Sequence, residues 1–413
     1  MTVWRWLALI LLAALLARVA FLVLFGDTLS LGASGYDAYA ANLIEGQGYT
    51  RFEDRSGDSD LPPLYPFFLA GVYTVLGRDP LAVAAVQAVL DLVVVGLVLI
   101  IGRRVAGETV GLLAATFYGL YPYLLFQNLS VNDTGLFILL LAAGIALTYT
   151  ARDSQHWAAA AGVGVALGLA ALTKTLVLLL VPLLALWWGR QIGWRTALRL
   201  GLALGIALLA VVAPWIVRNT RLHGEFVAIS TNGGSNLYQG NNPCVADYLA
   251  RGWDAQWVDC LNPRPAGQSE VEADRWYRAQ ALDYLREHPG EWPRLLGTKL
   301  FVLWNPRIMP YGVPPDARLD DDEVLEYNTR AFQAARIVHL LTFGPLLVLG
   351  VIGLGLAWRN RLPIGPLVAV FAVITAAYLV FHPSTRYRAP ADPFLFILSA
   401  YALARLWGRA RAR

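Results

Sequence analysis

The sequence predicts an all-α polytopic membrane protein, built as one integral membrane domain over residues 1–413, and three observations carry that prediction. Hydrophobic residues make up 57% of the chain and charged residues only 15%, with a mean hydropathy of +0.51. About ten apolar runs approach the length that crosses a hydrocarbon core of roughly 30 Å. The arginines alternate with these runs as they do in proteins that keep basic loops on the cytoplasmic side.

The first run, residues 7–25, is too long for a signal-peptide core and has no small-residue cleavage site after it, so a retained span is expected. The others are 81–101, 110–126, 135–149, 157–172, 176–188, 200–217, 337–358, 364–381 and 393–406. Arg5, Arg103, Arg104, Arg152, Arg190, Arg195, Arg199, Arg359, Arg361 and the basic tail fall on one side if both termini are inside. The apolar piece "LPPLYPFFLAGVYTVLG", residues 61–77, would break that parity as a crossing. It is therefore expected as a juxtamembrane or re-entrant helix opened by Pro62 and Pro63. Net charge of +4 and a pI near 9.0 follow from this topology and not from nucleic-acid binding.

Two outer connections are long, 26–80 and 218–336, and chemistry is expected on that face. In the second, "EADRWYRAQALDYLREHPGEWPRLLGTKLFVLWNP" places Ala273, Trp276, Tyr277, Ala281, Tyr284 and Leu285 at helical spacing on one face. Pro289 and Gly290 divide it into two helices, whose mixture of Trp, Tyr and Arg suits the headgroup layer of membrane lipids. Cys244 and Cys260 share this connection, either as a disulfide permitted by an oxidising compartment or as two thiols. The run "DDDE" from Asp320 to Glu323 reads as a solvated turn.

The order of short motifs resembles a known family. An Asp in the first outer loop, "PPLYP", "APWIVRNTRLHGEF" leading into "STNGGSNLYQGNNP", "GTKLFVLWNP" and "RYRAPADPF" together resemble bacterial relatives of the protein O-mannosyltransferases and the lipid A aminoarabinose transferases. The resemblance implies the GT-C membrane fold and inverting transfer of a sugar from a polyprenyl-phosphate carrier to a glycan, lipid or protein acceptor. It also implies an active site outside the cytoplasm, in a prokaryotic cell membrane. A polyprenyl donor independently requires what this chain offers: spans for the tail, a cavity at headgroup depth, and groups for the phosphate.

In "GYDAYAANLIEGQGYT", Asp37 matches the family's catalytic acid and would take the proton of the attacking hydroxyl, since an inverting displacement needs one base. Read without the family it is equally a helix cap. The mannosyltransferases follow this acid with a second, where Ala38 stands here. Asp133 corresponds to an acid in the relatives' second outer loop, positioning the acceptor or holding an ion, or else caps the next helix.

For phosphate, the outer face offers Lys174, Arg218, Arg221, Lys299, Arg386 and Arg388, each of which alternatively snorkels to lipid headgroups. Lys174 and Lys299 are the only lysines among 33 basic residues. Asn236, Tyr238 and Asn241 supply donors and acceptors for sugar hydroxyls, unless their stretch is simply turn-rich loop. No cofactor signature is present; His223, His288 and His382 lack ligand spacing, and a divalent ion, if one takes part, would have Asp37 and Asp133 as ligands. The rival readings are a transporter or flippase of lipid-linked substrates, for which Asp91 is the one clear acid inside a span, and an oligosaccharide ligase or polymerase.

Overall fold

The computed structural model describes residues 3–32, 35–52, 57–254, 260–307 and 330–411. The acidic run from Asp320 to Glu323 lies outside the described residues. The remainder is helical, with no strand among the described residues.

Helix α1 (Val3–Phe25) is followed by a first long connection, which contains α2 (Tyr36–Ile44) and α3 (Leu64–Leu76). Seven further helices come next: α4 (Pro80–Ala106), α5 (Glu108–Leu120), α6 (Pro122–Leu129), α7 (Thr134–Ser154), α8 (Trp157–Ala171), α9 (Leu180–Ile192) and α10 (Trp194–His223). The second long connection folds into α11 (Gly233–Gly240), α12 (Pro243–Ala250), α13 (Glu270–Glu287) and α14 (Trp292–Trp304). The chain closes with α15 (Arg330–Arg359), α16 (Gly365–Val380), the short α17 (Thr385–Arg388) and α18 (Asp392–Arg411).

Each of the ten expected crossings thus coincides with a helix or a helix pair. Among the described residues six helices are long and apolar enough to span a membrane, and α5 with α6 makes a seventh, bent by 60°. The bend follows from Pro122, which forces the preceding Tyr121 into extended backbone at φ −75°, ψ 113°. Helices α3, α8 and α16 are apolar but shorter, α3 having 13 residues. The break between α13 and α14 falls at Pro289–Glu291, and Ala273, Ala281 and Tyr284 are buried as their spacing requires. Helix α13 opens on a capping box of Ser269 and Glu272.

Small residues let the spans approach closely. A Cβ on Gly164 of α8 would lie 2.2 Å from the Leu204 carbonyl of α10, and one on Gly353 of α15 would lie 2.0 Å from that of Leu398 in α18.

Arg104 at the end of α4 reaches Asp153 at the end of α7 at 3.4 Å, so these basic termini share one end of the bundle. Asp133 opens α7 at the other end, about 30 Å away at 1.5 Å per residue.

Inside the bundle, Asp91 of α4 is not an isolated acid. It pairs with the Arg18 guanidinium of α1, whose Nε lies at 3.1 Å, and accepts from Tyr118 Oη and from Asn128 Nδ2 at 2.8 Å. Arg18 also donates to the carbonyls of Ala14 (2.8 Å) and Gly119 (3.0 Å), the latter in α5. Periodicity did not reveal Arg18, because it stands in an apolar run with nothing local to mark a partner 73 positions away. Asp91→Asn should destabilise the protein by about 3–5 kcal/mol by stranding the arginine, whereas the double replacement Arg18→Met with Asp91→Leu should cost clearly less. Thermal unfolding in detergent is the measurement.

Candidate active site

Gly35 adopts φ +71°, a conformation that other residues resist, and so turns the chain into α2 with Tyr36 and Asp37 in its first turn. Tyr36 Oη then reaches across to Asp133 Oδ2 at 3.2 Å. Asp133 is 2% exposed and is bonded from two further segments. Lys174 Nζ, in the turn after α8, donates to Oδ2 at 2.7 Å, and Arg386 Nη2 of α17 donates to Oδ1 at 3.3 Å. Burial pushes the Asp133 carboxyl up, but Lys174 and Arg386 outweigh it and hold it below the ordinary carboxylate range. The same burial lowers the Lys174 amine against the pull of Asp133.

In this knot one carboxylate faces two cations, an arrangement that suits a neighbouring anion. No three His, Cys, Asp or Glu side chains converge as ligands among the described residues.

Asp37, 8% exposed, sits beside the knot in sequence but has other partners. Oδ1 accepts from Tyr73 Oη of α3 at 2.8 Å and from Arg78 Nε at 3.0 Å, while Oδ2 accepts from Arg78 Nη2. Its side chain makes no cap bond, since Gly35 holds the N-cap position of α2. Neither Tyr73 nor Arg78 was picked out from the sequence. Nothing in the sequence sets Arg78 apart, since it is one of 31 arginines and stands in no quoted motif.

The other predicted cations go elsewhere. Arg388 is fully buried, donates to Asp392 Oδ1 at 3.0 Å and lies 3.6 Å from the Phe343 ring centre. Arg218 donates to the carbonyls of Asp58 (2.6 Å) and Tyr49 (3.0 Å), fastening the first outer connection to the end of α10. Arg221 is exposed on the same helix end. Lys299 of α14 is fully buried, its Nζ bonded to Asn241 Oδ1 (2.9 Å) and to the carbonyls of Leu379 (3.0 Å) and Val380 (3.3 Å).

The sugar-binding candidates are equally dispersed. The stretch carrying them is a helix, α11, rather than open loop. Asn241 is spent on Lys299 and on the carbonyls of Leu237 and Val380. Tyr238 is buried against Tyr277, with ring centres 5.9 Å apart, and Asn236 is half-buried. Cys244 and Cys260 are disulfide-bonded and join the start of α12 to the segment before α13. Asp254, which the sequence gave no reason to select, accepts from Ser384 Oγ (2.8 Å) and Thr385 N (3.2 Å) and so steadies α17, the element that carries Arg386.

With this geometry in place, known proteins supply a frame. Residues 60–217 match the model of the dolichyl-phosphate-mannose-protein mannosyltransferase family. The apo oligosaccharyltransferase of Archaeoglobus fulgidus superposes with a TM-score of 0.58 at 13% identity, covering 98% of this chain and 51% of that one. AglB from the same organism, in complex with an inhibitory peptide and a dolichol-phosphate, gives 0.57 at 13% identity over 98% and 50%. ArnT from Cupriavidus metallidurans bound to undecaprenyl phosphate gives 0.45 at 16% identity over 97% and 78%. No curated protein matches the sequence. The chain spans about half the length of the two archaeal proteins.

The fold is therefore that of the GT-C membrane glycosyltransferases, in a multi-pass membrane protein. Residues 60–217, less than half of the chain, are similar to the dolichyl-phosphate-mannose-protein mannosyltransferase family.

Burial lowers the Lys299 amine to about 7 from an ordinary 10.5. Between those values only the unfolded chain holds the proton, so stability should rise with pH across that window. Lys299→Met should flatten this slope in pH-resolved thermal unfolding, while costing about 1–3 kcal/mol near neutrality for each stranded oxygen that stays unsatisfied.

Proposed function

We propose that the protein is an inverting glycosyltransferase that moves a sugar from a polyprenyl-phosphate carrier to an envelope acceptor on the extracytoplasmic side. The observation that carries this reading is the joining of an acid-bearing helix start to a net cationic knot at one end of the bundle. Tyr36 and Asp37 are neighbours on α2, and Tyr36 bonds the carboxylate that Lys174 and Arg386 share. The match of residues 60–217 to a family named for a dolichyl-phosphate-linked sugar supports the same donor class.

In this reading the acceptor hydroxyl oxygen forms the new bond to the anomeric carbon as the bond from that carbon to the phosphate oxygen breaks. The bonding pair stays with the phosphate, and the hydroxyl proton passes to Asp37. Oδ2 of Asp37 accepts one donor where Oδ1 accepts two, so Oδ2 keeps a lone pair for that proton. Lys174 and Arg386 offer the charge that meets the phosphate as its negative charge grows. Asp133 holds both cations in place.

The transporter reading loses its main support, because Asp91 is enclosed by Arg18, Tyr118 and Asn128.

Asp37→Asn should lower sugar transfer by about 10²–10⁴-fold with carrier binding retained, as loss of a general base does. Unaltered transfer would remove Asp37 from that role. Sidedness is checked separately: a cysteine replacing exposed Glu45 should react with an impermeant maleimide in intact cells, and one replacing exposed Arg195 only after permeabilisation. The reverse pattern would put the site on the inner side.

A further inference from the structure

Arg78 lies between α3 and α4 and belongs to no motif of the resemblance. Its guanidinium grips Asp37 through Nε, at 3.0 Å, and Nη2. The two side chains differ sharply in access, Arg78 being 52% exposed and the Asp37 side chain 11%. A guanidinium has five N–H donors in a rigid plane, and the printed bonds to Asp37 occupy one edge of it. The Arg78 side chain is therefore the part of the pair that meets whatever arrives from the membrane surface.

We infer that Arg78 bridges Asp37 and the phosphate of a lipid-linked donor, so that one guanidinium couples the base to the leaving group. This deepens the transferase reading and rests on it. The chemistry gives the bridge its value. As the acceptor's proton moves to Asp37, the carboxylate loses a negative charge, and as the anomeric carbon leaves, the phosphate gains one. The guanidinium between them faces the same total charge throughout, yet its stronger partner changes from carboxylate to phosphate along the reaction. An interaction that strengthens only as the phosphate departs accelerates the chemical step and does not merely tighten binding. Tyr73, donating to Asp37 Oδ1 at 2.8 Å, keeps the carboxylate oriented while the arginine's attention shifts. Lysine is a poor substitute at such a place, because it is a point charge without the planar fork that serves two anions at once.

The test uses the full chain in nanodiscs, as wild type, Arg78→Lys, Arg78→Gln and Arg78→Ala, all first shown to be monodisperse with comparable thermal transitions. The probes are polyprenyl monophosphate and, separately, inorganic phosphate, followed by intrinsic tryptophan fluorescence. Arg78→Gln and Arg78→Ala should weaken polyprenyl phosphate binding by about 10–100-fold, the range for removal of a charge-assisted contact of about 1.5–3 kcal/mol. Arg78→Lys should recover part of the binding but little of kcat. If Arg78 only fixes the Asp37 side chain, the variants will lose kcat with carrier affinity unchanged, and the bridge is overturned while the transferase reading stands. If inorganic phosphate binds as tightly as the lipid, the donor's lipid-linked nature is overturned. A wild-type protein that fails to bind polyprenyl phosphate overturns the inference and the underlying reading together.

Discussion

A carboxylate sealed within protein at the end of a membrane bundle must find cations, and the cations that answer Asp133 determine how the outer face is assembled. Lys174 arrives from the turn after α8, Arg386 from α17 and Tyr36 from α2, so four separate parts of the chain meet at one side chain. Removing an ion from water costs several kcal/mol, and the cost is recovered only when the partners are close and fixed. The short connections and the first outer loop are thereby held against one another.

The bundle has a second knot of this kind, and comparison of the two separates support from chemistry. Arg18 and Asp91 balance each other, and hydroxyl, amide and carbonyl groups complete their bonding in a closed network between α1, α4 and α5. At Asp133 two cations face one carboxylate, and at Asp37 the partner arginine is half in solvent. The number of cations and the exposure of Arg78, not the mere presence of charge, distinguish this end of the bundle from the Arg18–Asp91 pair.

Much of the arrangement was legible in the residues. Apolar length foretells a helix or a helix pair at each expected crossing, because the bilayer imposes that length on any helix that crosses it. Proline at 62 and 63 marks the start of α3, and proline at 289 the break between α13 and α14, since proline's lost donor and fixed φ act locally. Asp37, Asp133, Lys174 and Arg386 stand out in the sequence by type and position. Arg388 and Lys299 were selected on the same grounds, yet one turns inward to Asp392 and the other to three protein oxygens. In sequence an arginine bound for the interior is indistinguishable from one bound for a phosphate.

Hydrophobic period and the punctuation of proline and glycine are properties of neighbours along the chain, and so the sequence by itself determined the helices and the breaks between them. Which charges meet is a property of neighbours in space. Asp133 finds Arg386 across 253 positions and Arg18 finds Asp91 across 73, and only the packing of spans brings such pairs within reach of a hydrogen bond. The tertiary structure therefore decided which cations meet which carboxylates, Arg18 with Asp91, Arg388 with Asp392, Lys174 and Arg386 with Asp133, and Arg78 with Asp37.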